Sequence, residues 1–261
     1  MRRLALLGML ALLAAGCGGG DGGSASGKDI VQAAEKTAAA GSLEANFTIA
    51  GQGLKGTGSG VFNTGTDHAG QLSMKVTASG REIPVDTVVI GDIFYMRSPV
   101  FRQATQGNKE WIKLDLGKLA KQRGLDLSSL LNASPTPTNA LAYLEGVGGD
   151  VEKLGTEKVD GVETTHYKVN TDLGRAAEKA KGSTRVALRR VISQSKLKTL
   201  PLDVWVDANG YIRKVSYAEH AGRQQAANVT IELHDFGSPV SVKPPPSDSV
   251  VDLMKTLRPQ S

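Results

Sequence analysis

The sequence predicts an α+β domain in which one antiparallel sheet is interrupted by helical excursions that lie against one of its faces. Three observations carry this expectation. Apolar residues return with a period of two in a series of short runs, turn-forming residues separate the runs, and two stretches change to helical spacing.

The elements follow in order. Lys28 to Ala40 holds helix formers throughout, with Ile30, Val31 and Ala34 on one side and Gly41 as a stop. From Ser42 the period becomes two: Leu43, Ala45, Phe47 and Ile49 alternate with Glu44, Asn46 and Thr48, the pattern of a half-buried strand. Leu54 to Phe62, Gln71 to Ala78, Glu82 to Ile90, Ile93 to Ser98 and Glu110 to Leu114 continue it as an antiparallel meander. Asn63-Thr64-Gly65, Ser79-Gly80 and Gly91-Asp92 supply turns. Asp115 to Gly149 reads as helical, with Leu116, Leu119, Ala120, Leu127, Leu130 and Leu131, and then Ala140 to Leu144 after Pro135 and Pro137. Strands return at Asp150 to Lys158 and Glu163 to Asn170 around Asp160-Gly161, a strong hairpin signal. Thr171 to Leu197 is expected to be helical, broken at Gly182-Ser183. A last strand group covers Pro201 to Val206, Tyr211 to His220 and Asn228 to Phe236, turning at Asp207-Ala208-Asn209-Gly210. Pro244 to Pro246 precede a short terminal helix.

Composition narrows the possibilities. A chain of 261 residues can bury a core without metal or disulfide staples, and its single cysteine, Cys17, rules out an internal disulfide. The net charge of +5 falls to +3 once Arg2 and Arg3 are set aside, a mild excess that gives no nucleic-acid signature. Those two arginines open a segment with the grammar of an export signal: a basic start, an apolar run from Leu4 to Gly16, and small residues at its end. The run is too short to cross a hydrocarbon core of about 30 Å as a helix. Ala15 and Gly16 directly before Cys17 resemble the lipobox of bacterial lipoproteins, with Ala14 where leucine is common. On that resemblance residues 1–16 are a signal peptide and Cys17 is lipidated, which anchors the chain to the outer face of the cytoplasmic membrane. Each buried acyl methylene contributes about 0.8 kcal/mol to such an anchor. A nucleophilic thiol would need a base or a helix N-terminus beside it, and neither is near. Residues 17–27 form the lipidated start and a glycine and serine tether, and residues 28–261 the single folded domain.

Several patterns invite an enzyme and fail on context. Gly51-Gln52-Gly53-Leu54-Lys55-Gly56 matches a dinucleotide fingerprint, but Thr57 to Phe62 cannot open the helix that a pyrophosphate needs, so the stretch reads as a glycine-rich hairpin. Ser59 lacks a nucleophile elbow. His68, His166, His220 and His234 fall on separate segments without metal-site spacing. Asp203 and Asp207 share a strand face around Trp205, and Asp207 is better placed to serve the following turn. No cofactor is expected. Arg175 to Lys198 is basic, with Arg185, Arg189 and Arg190 among its charges, a stretch that fits contact with anionic lipid headgroups or an exposed helical face over a core.

The lipobox, Leu154 to Tyr167 and Leu200 to Val215 together resemble the actinobacterial LppX and LprG type of lipoprotein, similar in fold to the LolA and LolB lipoprotein carriers. The resemblance spans about residues 28 to 240. It implies a strongly curved half-barrel with helices on the concave face that carries acyl chains of a lipid or lipoglycan rather than catalysing a reaction; the chain is expected to be a monomer. It transfers no ligand motif. Alternation instead selects Phe47, Ile49, Leu72, Met74, Val76, Phe94, Met96, Val204, Val206, Val215, Tyr217, Val229, Ile231 and Leu233 as residues that would line the apolar space. The same residues packed solid would make a surface interaction or sensory module without a lipid.

Overall fold

The computed structural model describes residues 25–256, apart from 52, 66–68, 102–108, 116, 120–135, 150 and 222–223. Cys17, the signal segment, most of the tether, His68 and the expected helical residues Leu116, Ala120, Leu127, Leu130 and Leu131 lie outside the described residues.

Helix α1 (Gly27–Ala38) begins where Ser26 donates both its backbone N–H (2.7 Å) and its hydroxyl (3.0 Å) to Asp29. Those bonds, the backbone one first, hold the Asp29 carboxyl below the usual carboxylate range. The helix buries Ile30, Val31, Ala33, Ala34 and Thr37.

The first meander is β1 (Ser42–Gly51), β2 (Leu54–Asn63), β3 (Ala69–Ala78), β4 (Arg81–Ile90), β5 (Ile93–Arg97) and β6 (Trp111–Asp115). After helix α2 (Pro137–Leu144), capped by the Thr136 hydroxyl accepting from Asn139 N–H at 3.2 Å, come β7 (Glu152–Val159) and β8 (Val162–Asp172). Helices α3 (Leu173–Lys179) and α4 (Gly182–Ser195) precede β9 (Thr199–Asp207), β10 (Ile212–Ala221) and β11 (Gln224–His234). The chain closes on β12 (Val250–Asp252) and α5 (Leu253–Thr256).

All twelve strands form one open sheet, in the order β12-β6-β5-β4-β3-β2-β1-β11-β10-β9-β8-β7. Two meanders therefore meet where β1 pairs with β11, with Phe47 opposite Ile231 and Ile49 opposite Val229. The sheet is antiparallel except for β12, which lies parallel to β6. Helices α1 to α4 bury Ile30, Ala34, Leu141, Leu144, Leu173, Ala176 and Leu188 in one core with the side chains of β1, β8, β9, β10 and β11. The architecture is a curved α+β half-barrel with helices against its inner face.

Three local features differ from the sequence expectation. The helical break falls at Ala180, which is extended (φ −61°, ψ 153°), and Gly182 and Ser183 instead open α4. Burial of Ala180 in the core and the Arg185 guanidinium, which donates to the carbonyls of Ala180 (2.7 Å) and Glu178 (3.2 Å), fix it there. Strand β12 is too short to show alternation and exists because β6 offers it an edge. At the other edge, β7 carries a bulge at Leu154 and exposed Glu152, Lys153, Glu157 and Lys158, features that discourage edge pairing.

Candidate functional site

Directly opposed residues in a ladder point to the same side of a sheet, so the register assigns the faces. One row runs Val85, Met74, Gly58, Phe47, Ile231, Val215, Val204 and Tyr167 across eight strands. A neighbouring row runs Ile83, Val76, Gly56, Ile49, Val229, Tyr217, Leu202 and Val169. Over these eight strands neither row contains a charged side chain; on β7 the first row continues to exposed Lys153. All fourteen residues chosen by alternation share this inner face. Phe47, Leu72, Val204, Val215, Tyr217, Val229, Ile231 and Leu233 are buried in the core; Ile49, Met74 and Val206 are half-buried against it; Val76, Phe94 and Met96 are half-buried.

The sequence reading missed why these rows can close. Gly56, Gly58 and Gly60 occupy consecutive inner positions of β2, between the larger side chains of β1 and β3. A Cβ on Gly58 would lie 2.6 Å from Met74 Cγ and 2.4 Å from the Ser73 carbonyl oxygen. A Cβ on Gly60 would lie 3.0 Å from Phe62 Cε2, and the Phe62 ring meets Phe47 edge-on at 5.8 Å. The missing side chains let Met74 and Phe62 lie across β2. The Gly51-Gly56 stretch is the hairpin the sequence suggested, with Gly53 at φ 73°. The usable signal was the period-two recurrence of glycine after it.

The outer face is polar. Its row holds His166, Trp205, Lys214, Glu232 and Asn46. His166 stacks on Trp205 at 4.1 Å and its Nε2 lies 2.9 Å from Asp203, while the indole N–H of Trp205 donates to Glu157. Asp207 serves the β9–β10 turn, accepting from the N–H groups of Asn209 and Tyr211 at 2.9 Å each and from Arg213 Nε at 2.7 Å. Arg185 is engaged with α3, Arg189 is exposed, and the Arg190 side chain lies outside the described ones.

Two cavities lie away from the inner rows. One of about 660 Å³ opens in the helix layer between Ala34 and Ala38 of α1, Leu141 and Ala142 of α2, Thr64, Glu145, Lys179, Lys181 and Thr184. Burial pushes the Glu145 carboxyl up, opposed by Lys179 and reinforced by Glu35. The other, about 630 Å³, lies beside β5, β6 and β12 between Tyr95, Lys109, Lys113, Pro244, Pro245 and Lys255. No helix among the described residues is long and apolar enough to cross a membrane.

An open half-barrel whose central inner rows carry no charge, under a helical cover, defines the class. Within that class the chain has the fold of LppX and LprF. Lipoprotein LppX of Mycobacterium tuberculosis matches with a TM-score of 0.51 and 16% identity, over 83% of this chain and 97% of that one. LprF from Mycobacterium bovis gives 0.52 and 14%, over 85% and 99%. An uncharacterized 31.2 kDa protein from the rplA-rplJ intergenic region of Streptomyces griseus is 27% identical over 198 residues, 72% of this chain; the match spans 63% of that relative. No family model matches the chain.

Proposed function

We propose that the protein is an envelope lipoprotein, held to the outer face of the cytoplasmic membrane through acylated Cys17, that shields acyl chains of a lipid or lipoglycan during transfer and catalyses no reaction. The observation that carries this reading is the pair of uncharged rows across the half-barrel, a surface that offers dispersion and water exclusion and no reacting group. A fold shared with a protein named as a lipoprotein, and the lipobox before Cys17, support it. The half-buried Val76, Phe94 and Met96 are the side chains on which an alkyl chain would gain most, because they retain apolar area to cover.

Native mass spectrometry of residues 25–261, which keep the Ser26 cap, is the test. Added mass matching lipid supports the reading; protein that stays bare after incubation with a labelled fatty acid overturns it. The anchor has its own readout: labelled palmitate should enter the full chain and be absent from Cys17→Ala. A second reading, a surface interaction module with a filled interior, is favoured by Val204, Val215 and Ile231, all 0% exposed. Bare protein with intact folding would select it.

A further inference from the structure

We propose that Glu44, His234 and Asp235 bind a divalent first-row transition-metal ion on the outer face of the half-barrel. The pairing of β1 with β11 sets Glu44 directly opposite His234, and Asp235 follows in the left-handed region at φ 49°. One ligating atom from each residue lies within 4.8 Å of the others. No spacing in the sequence shows the set, because Glu44 and His234 meet only through strand pairing.

The chemistry around the ring favours a ligand. Nδ1 of His234 lies 2.8 Å from Asp235 Oδ2, and Nε2 lies 3.3 Å from the side-chain amide nitrogen of Asn46. A half-turn of that amide brings its carbonyl oxygen forward as a further donor. Half-buried Glu44 has no cationic partner among the described residues, and the nearby Lys214 is taken up by Glu232 at 3.6 Å. Two carboxylates beside the imidazole offer negative charge that a divalent cation would neutralise.

His166 marks the contrast. Carboxylates approach both of its nitrogens, at 2.9 Å and 3.7 Å, and its ring is stacked on Trp205, so it is already satisfied by the protein. At His234 a carboxylate meets Nδ1 alone, and Nε2 faces the exposed Asn46 amide rather than an acidic group among the described residues. Rotation of the carboxylates brings them to the bonds of about 2.0–2.2 Å that zinc makes with nitrogen and oxygen. One imidazole with oxygen donors suits zinc, cobalt or manganese better than magnesium, calcium or a thiophilic ion.

The full-length protein in detergent micelles is titrated calorimetrically with Zn²⁺, and with Co²⁺ by its visible absorption. We expect about one ion per chain, with His234→Ala and Glu44→Gln each weakening binding at least about tenfold. Wild-type protein that takes up no ion below millimolar concentration overturns the proposal. So does either variant binding as wild type does, which would move the ion to another donor set. Thermal unfolding without metal checks each variant; if His234→Ala is misfolded, the shape-conserving Glu44→Gln decides.

Discussion

The two meanders of the sheet are finished in different ways. Strands β8 to β11, joined to β1, carry four helices on their inner face, and Leu43, Ile212, Val215 and Ile231 there are 0% exposed. On β3 to β5 Leu72 of the inner face is buried, while Met74, Val76, Phe94 and Met96 are only half-buried. One half spends its apolar surface on folding, and the other keeps some in reserve. One face of a sheet can therefore be buried to different depths along its width.

The largest expected effect tests that division. Phe47→Ala removes a ring that is 2% exposed, and should cost about 3–5 kcal/mol in urea unfolding. Met96→Ala, on the other half, removes a half-buried side chain and should cost about 1 kcal/mol. Equal losses would mean that both halves are sealed alike, and the comparison would fail.

The glycines of β2 sit at the seam. Gly58→Ala forces a Cβ to 2.6 Å from Met74 Cγ and 2.4 Å from the Ser73 carbonyl oxygen, within the strand ladder. Overpacking of this kind should cost about 1–3 kcal/mol. Gly56→Ala meets neighbours only at 3.6 Å, an ordinary contact, and should be neutral or stabilising by about 0.4–1 kcal/mol through the unfolded chain. Thermal melts of the two variants side by side read the difference.

Much of this was legible in the sequence because period-two alternation needs no tertiary information. It selected one face consistently, from Phe47 to Leu233, and Asp160-Gly161 marked its hairpin, where the two residues have φ 49° and 76°. What escaped was whatever depends on pairing at a distance. The bulge at Arg213 lets Ile212 and Val215, three residues apart, both be buried, which simple alternation forbids. Strand β12 owes its existence to an available edge, and Glu44 meets His234 only across the seam. Empty volume is invisible for the same reason: neither cavity is bordered by a residue that alternation selected.

The joint between helix and sheet offers a smaller test within the covered half. Thr37, 0% exposed, donates its hydroxyl to the Ala33 carbonyl at 2.7 Å and accepts from Ile212 N–H at 2.9 Å. Thr37→Val keeps the shape and orphans the Ile212 amide, for a loss of about 1–2 kcal/mol. Hydrogen exchange at Ile212 should accelerate accordingly. An unchanged rate would show that α1 is held instead by Lys36, whose ammonium lies 4.7 Å above the Tyr211 ring.

Glu145, in the helix-layer cavity, gives the smallest effect and a sign that can be worked out. Burial raises its pKa in the folded state, so the folded protein favours the neutral carboxyl. The stabilisation that follows is complete below the unfolded value of about 4.3 and is lost as pH rises through the folded value. Glu145→Gln, neutral at every pH, should therefore be more stable than wild type at pH 7, by less than about 0.5 kcal/mol because solvent and Lys179 screen the charge. Below about pH 4 the two should coincide. Urea midpoints at both pH values measure this. A Gln variant that is less stable at pH 7 would mean that the carboxylate is held by Lys179 and Lys181, making the covered half as dependent on charge as the outer face.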